Sequence, residues 1–173
     1  MRRLVALLFL ALLSLTPLQG AHAARQPVLG NAPSIFHTAW GHPFKTMHYP
    51  SNMAEEYGHC AGTTFPVHAV SYVDNRAEII ATYRCDTKRE QDWEILAQRF
   101  LPADAIFEAD VTMSGQSVPI YDSPSLGQAI PPSLCKGPAT DRGLLMLAYL
   151  HIQNHDVWMA GMVACLAPTI SGQ

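Results

Sequence analysis

Between His37 and Cys60 the chain reads HTAWGHPFKTMHYPSNMAEEYGHC, a stretch holding four of the protein's eight histidines. His37, His42, His48 and His59, with Met47 and Met53, supply the imidazole and thioether ligands that suit copper, and with Glu55 or Glu56 they would suit zinc. Binding of copper or zinc by this segment is therefore one expectation. The intervals match no standard ligand spacing, however, and no helical H-x-x-x-H or H-E-x-x-H pair occurs. The plainer expectation is a polar arm whose imidazoles make hydrogen bonds or face water, with no cofactor. His59 beside Cys60 has the form of a base next to a nucleophile, but a thiol committed to a disulfide cannot serve.

A second group of side chains suits recognition rather than chemistry. Tyr149, His151 and Trp158 fall on one face of a hydrophobic hairpin, with Gln153 and Asp156 near its turn, and Leu134 lies in the long loop 122–143. Aromatics beside a few polar groups are what protein interfaces use. The alternative is that Trp158 is simply covered by a helix or by the N-terminal arm. His68, among Tyr72 and Tyr83, reads as a hydrogen-bonded core histidine. Asp104, Glu108 and Asp110 alternate along a strand and line its wet side. No G-x-S-x-G, no glycine-rich phosphate loop and no other catalytic signature is present. The expected function is a small exported binding protein that engages or inhibits another macromolecule through the 122–143 loop and the second hairpin.

Export is read from the first residues. MRRLVALLFLALLSLTPLQGAHA has two arginines, an apolar run from Leu4 to Leu15 and a small-residue end at Ala21-His22-Ala23, the plan of a cleavable secretory leader. The apolar run is shorter than the about 20 residues of a membrane span, and no membrane anchor is expected. Removing the leader takes two arginines and no acids, so the remainder is more acidic than the whole chain's −3. A mildly acidic chain without a lysine or arginine run argues against nucleic acid as a partner. Charged residues make up only 14% of the chain, so apolar surface is available for a partner. The oligomeric state is not set by the sequence.

All four cysteines, Cys60, Cys85, Cys135 and Cys165, lie beyond the leader, and an even number in an exported chain reads as two disulfides. CAGTT at Cys60 and CKGPAT at Cys135 each open with Cys-x-Gly, each precedes a hairpin, and each hairpin ends at a cysteine. Cys60–Cys85 and Cys135–Cys165 are the expected pairs; crossed pairing of the hairpins through Cys85 and Cys165 stays open.

These residues need elements to hold them. The expected organisation is a leader over 1–23, an extended arm rich in Pro, Gly, His and Asn over 24–50, one domain over 51–168 and a tail over 169–173. Asn52 to Tyr57 reads as a helical turn or two, capped by Asn52 and Glu55 and stopped by Gly58. Phe65–Asp74 and Ala77–Cys85 read as strands around an Asp74-Asn75 turn, with Ile79, Ala81 and Tyr83 on the packed face. A long helix follows from the Thr87 capping box to Pro102, with Trp93 and Phe100 against the sheet. Ala105–Thr112 and Ser117–Tyr121 form a second hairpin pair, and Leu144–Ile152 with Val157–Cys165 a third, turning near Asn154-His155 and placing His151 opposite Trp158. The expected fold is α+β: an antiparallel sheet of five to six strands with one long helix packed on a face, two disulfides and long loops.

Overall fold

The computed structural model describes residues 26–85, 95, 97–133, 142–152 and 155–163. Its framework is one antiparallel sheet of eight strands: β1 (Lys45–His48), β2 (Asn52–His59), β3 (Pro66–Val73), β4 (Arg76–Tyr83), β5 (Ile106–Met113), β6 (Gln116–Asp122), β7 (Leu144–Ile152) and β8 (His155–Met162). Among the described residues two helices are traced from end to end, α1 (Pro33–Trp40) and α2 (Pro124–Ala129). The spatial order is β1-β2-β3-β4-β8-β7-β6-β5. Two four-stranded meanders thus meet along β4 and β8, and a half-turn about an axis normal to the sheet exchanges them. With that axis on the Ile80–Ala160 pair, as the spacing of Cys85 and Cys165 sets it, Tyr57 exchanges with Tyr121 and Tyr72 with Tyr149. The likeness of the two Cys-x-Gly units in sequence therefore has a counterpart in topology.

The sheet of five to six strands with one long helix is overturned. Eight strands are present among the described residues, and the two helices traced there from end to end span eight and six residues. Most of the expected helix from Thr87 to Pro102, including Trp93, lies outside the described residues; its end is seen at Ala97 and Gln98, and Phe100 is buried against the sheet as expected. Where an extended arm is expected, α1 and β1 form. Pro33 opens α1, and Gly41, at φ 82°, closes it with its N–H on the carbonyl of His37. Phe36 is fully buried and meets Trp40 and Tyr72 edge-on, with ring centroids 5.2 and 5.6 Å away.

The expected helical turn at Asn52–Tyr57 is instead the start of β2. Its alternation is real but unusual, because Met53, Glu55 and Tyr57 face the core while Ala54 and Glu56 face away. A buried carboxylate in the inward set disguises the pattern.

The Asp74-Asn75 turn forms as expected, both residues at positive φ (49° and 58°), and Val73 stands opposite Arg76 and Tyr72 opposite Ala77. Beyond that a β-bulge intervenes: Ser71 pairs with Ile79, leaving Glu78 as the extra residue. One inserted residue reverses every later side chain of β4. Ile80 and Thr82 therefore face the core, and Ile79, Ala81 and Tyr83 turn to the opposite face. Glu78 is buried, which raises its carboxyl pKa, and it accepts a hydrogen bond from Ser71 that partly opposes the rise.

In the third hairpin Ile152 stands opposite His155, so the register is displaced by two residues from the one expected. Face composition is unchanged by an even shift, but the neighbours change: Tyr149 is opposite Trp158, and His151 is opposite Asp156.

The core lies between one face of the sheet and the layer made by α1, α2 and residues 97–101. Phe36, Phe100, Leu101, Leu126 and Ile130 cover Tyr57, Val70, Tyr72, Ile80, Leu145, Leu147 and Ala160. Cys60 and Cys85 are joined, with Cα atoms 4.9 Å apart, fastening the β2–β3 connection to the end of β4. Cys135 and Cys165 lie outside the described residues, so one of the two expected disulfides is observed. Among the described residues no helix is long and apolar enough to cross a membrane.

Candidate functional site

At the end of the sheet where β4 finishes and β8 begins, the face turned toward the helices carries Arg84, Tyr149, His151, Asp156 and Trp158. The sequence reading named Tyr149, His151 and Trp158, and the third hairpin brings them together. The centre of the group is Asp156. Its Oδ1 accepts a hydrogen bond from the Tyr149 hydroxyl at 2.5 Å and lies 3.0 Å from His151 Nδ1, while Oδ2 accepts from Arg84 Nη1 at 3.0 Å. The main chain closes the same contact, Arg84 N–H donating to the Asp156 carbonyl at 2.8 Å. The hydrogen bonds from Tyr149, His151 and Arg84, with the Arg84 charge, outweigh partial burial and hold the carboxyl at about 2, well below the usual range. Trp158 lies beside Tyr149, ring centroids 5.1 Å apart, and is partly buried against the core. The His151 side chain remains 61% exposed.

Arg84 is the member that sequence reading missed. Without the bulge at Glu78, alternation puts Arg84 on the other face from Trp158, so no periodicity argument could place it here. Leu134 lies outside the described residues. The described part of the 122–143 loop forms α2, capped by Ser123, whose hydroxyl accepts from Leu126 N–H. Asp104 braces this turn, accepting from the hydroxyls of Ser123 and Ser125 at 2.7 and 2.9 Å and from Ser125 N–H at 2.8 Å. Partial desolvation would raise the Asp104 carboxyl, but these donors lower it overall. Its role is to hold α2, not to line a wet strand face.

The four N-terminal histidines do not converge on one point. His37 Nε2 lies 3.1 Å from both carboxylate oxygens of Glu55. His42 has its ring centroid 5.8 Å from that of His37. His59 packs its ring on Phe44, and His48 stands opposite Met53 at the other end of β2 from His59. Six residues of strand between Met53 and His59 span roughly 20 Å. No group of three or more His, Cys, Asp or Glu placed to hold a metal ion occurs among the described residues.

Glu55 is the centre of a buried polar network that the sequence did not reveal. It accepts from Tyr57, whose hydroxyl lies 3.1 Å from that of Tyr72. Burial and the neighbouring Glu55 raise the Tyr57 phenol pKa, and burial with the Tyr57 hydroxyl raises that of Tyr72. Both phenols thus stay protonated and act as donors. His68 is a core histidine, its ring stacked on Trp40 at 4.3 Å and its Nδ1 3.0 Å from Thr82 Oγ1. Burial pushes it down to about 4, so the ring is neutral. Tyr83, expected beside it, lies on the opposite face because of the bulge.

None of these groups offers a nucleophile beside a base in an open cleft. Comparison with protein-family models, with curated proteins and with solved structures finds no match to this chain.

Proposed function

We propose that the protein is an exported binding protein that recognises another macromolecule through the sheet end formed by Arg84, Tyr149, His151, Asp156 and Trp158. The observation that carries this reading is the Asp156 carboxylate, which holds three side chains of recognition type in one arrangement before any partner arrives. Side chains fixed in advance lose less entropy on association, and Tyr, Trp and Arg are the residue types that most often dominate binding energy. His151 supplies the accessible surface and Trp158 the apolar floor.

The test places a photo-crosslinking phenylalanine derivative at position 151 and, as a control, at the exposed Thr46 on the far edge of the sheet. After irradiation in an extract of the cell envelope, a discrete adduct from position 151 and none from position 46 is expected, and it should disappear when Tyr149→Ala is added. Equal adducts from both positions, or an adduct unaffected by Tyr149→Ala, would overturn the reading.

The proximity of His37 and His42 supports a second reading, in which the N-terminal segment binds copper or zinc. Titration with either ion should then give one equivalent bound, lost in the His37→Ala, His42→Ala double variant. Substoichiometric uptake unchanged by that variant removes this option.

A further inference from the structure

The two edges of the sheet are built differently. β1 is four residues long, carries Lys45 and is bracketed by Pro43 and Pro50, all features that discourage a further strand from pairing. β5 is eight residues long, and every one of them is exposed. Ile106, Phe107, Val111 and Met113 are 63, 52, 37 and 47% exposed, and they are most of the large exposed hydrophobic residues among those described. A bulge at Glu108 disturbs the start of the strand, since Phe107 pairs with Tyr121 and Ala109 with Ile120. From Ala109 to Met113 there is neither proline nor lysine.

Register fixes which groups this edge presents. Ser114 and Gly115 form a two-residue turn, both at positive φ (51° and 82°), closing on the Met113–Gln116 pair. Alternation of hydrogen-bonded and non-hydrogen-bonded pairs then points the main-chain groups of Asp110 and Thr112 away from β6, toward the open edge. The same alternation turns the nitrogen of Pro119, opposite Asp110, toward β7, and a proline has no N–H to give. This accounts for the β6–β7 ladder covering only Ile120–Asp122. The β6–β7 pairing therefore stops at Ile120, short of the turn end of the β5–β6 hairpin.

Side chains along the open edge divide by face. Ile106, Ala109, Val111 and Met113 line one side; Phe107, Asp110 and Thr112 line the side toward the helices. The charge is one-signed: between Arg99 and Lys136 the chain has no basic residue and four carboxylates, Asp104, Glu108, Asp110 and Asp122. A second copy of the same strand would bring two sets of Glu108 and Asp110 into one ribbon, where like charges oppose pairing. A strand carrying basic residues meets no such opposition.

We infer that β5 is a docking edge, separate from the Asp156 site, at which an extended segment of a cationic polypeptide partner adds as a ninth strand, with apolar residues along Val111 and Met113 and a basic residue beside Asp110. Main-chain bonds to Asp110 and Thr112 supply the attachment, and the face division and carboxylates supply the selectivity.

The test uses the full chain and capped alternating Lys–Val peptides of about eight residues, matched to the strand length, with the corresponding Glu–Val peptide as control. Fluorescence anisotropy should show the Lys–Val peptide binding, more weakly as salt rises, and the Glu–Val peptide not binding. Thr112→Pro removes an outward donor without touching the β5–β6 ladder and should weaken binding about tenfold or more. Asp110→Lys, a surface change that leaves the fold intact, should reverse the preference toward the Glu–Val peptide. Lys–Val binding unchanged in both variants would overturn the inference. So would light scattering that shows the chain already dimeric and made monomeric by Thr112→Pro, which would make a second copy the occupant.

Discussion

His37 and Glu55 join α1 to the sheet: the Nε2 atom of the first lies 3.1 Å from both carboxylate oxygens of the second, which is only 4% exposed. The same carboxylate accepts from Tyr57, so a single residue satisfies a helix side chain and a buried phenol together. Replacing Glu55 with alanine strands both donors, and the loss expected for removing a charged acceptor from such a site is about 3 kcal/mol. Tyr57→Phe removes the bond to Glu55 and the acceptor of the Tyr72 hydroxyl but leaves the carboxylate its histidine partner, so a smaller loss, about 2 kcal/mol, is expected. Urea unfolding of the two variants measures the difference; equal losses would show that Tyr57, not His37, is the partner that matters.

The Cys60–Cys85 disulfide spans a sequence separation of 25 residues. On a chain-entropy account such a loop contributes about 3 kcal/mol. Cys60 is buried and Cys85 is exposed, so reductant reaches the bond from the Cys85 side. The Cys60→Ala, Cys85→Ala double variant should unfold at correspondingly lower urea, and dithiothreitol should lower wild-type stability without further affecting the double variant, provided that the second cysteine pair is replaced in both proteins.

These features differ in how far they could be read from the sequence. Asp74-Asn75 announces its turn because few residues besides Gly, Asn and Asp tolerate the positive φ required, and the Cys60–Cys85 pair follows once the first hairpin is drawn. The edge strand β1 and its neighbour β2 escape notice because β1 has little apolar alternation and the inward set of β2 contains Glu55, a carboxylate made acceptable only by Tyr57 and His37, which no local pattern shows. The bulge at Glu78 is likewise silent in the sequence, yet it decides that Thr82 and Arg84, not Tyr83, share a face with Trp158. The surroundings of Asp156 are legible in part for a related reason: a shift of two residues in the third hairpin preserves faces while changing partners, so Tyr149, His151 and Trp158 share a face as the sequence suggests, whereas the hub at Asp156 depends on the true register.

His68 makes the fold sensitive to mild acid. The folded ring has its pKa lowered from 6.5 to about 4 by burial against Trp40 and Phe100. As pH falls below 6.5 the unfolded chain takes up a proton that the folded chain refuses, so stability is lost across the window down to about 4. The full effect is at most about 3 kcal/mol. His68→Gln keeps a polar group near Thr82 but does not titrate. Its urea midpoint should change less than that of the wild type between those pH values, and parallel curves would show that His68 is not the group responsible.

Asp156 acts in a separate and more acidic window. Its folded carboxyl titrates at about 2 against an ordinary 3.8, because Tyr149, His151 and Arg84 all favour the charged form. That contribution is fully present above 3.8 and is lost as pH falls through the folded value near 2. Asp156→Ala leaves three donors without their acceptor at a partly exposed site, and a loss of about 2 kcal/mol near neutral pH is expected. Asp156→Asn retains one acceptor oxygen and loses the charge that Arg84 faces, so its neutral-pH loss should be smaller and its stability should no longer decline below pH 3.8 through this group. The two variants thereby separate the shape of the hub from its charge. If Asp156→Asn also keeps the crosslink from position 151 while Asp156→Ala loses it, the placement of Tyr149 by its acceptor is what a partner reads; loss in both variants would assign the recognition to the Arg84–Asp156 ion pair.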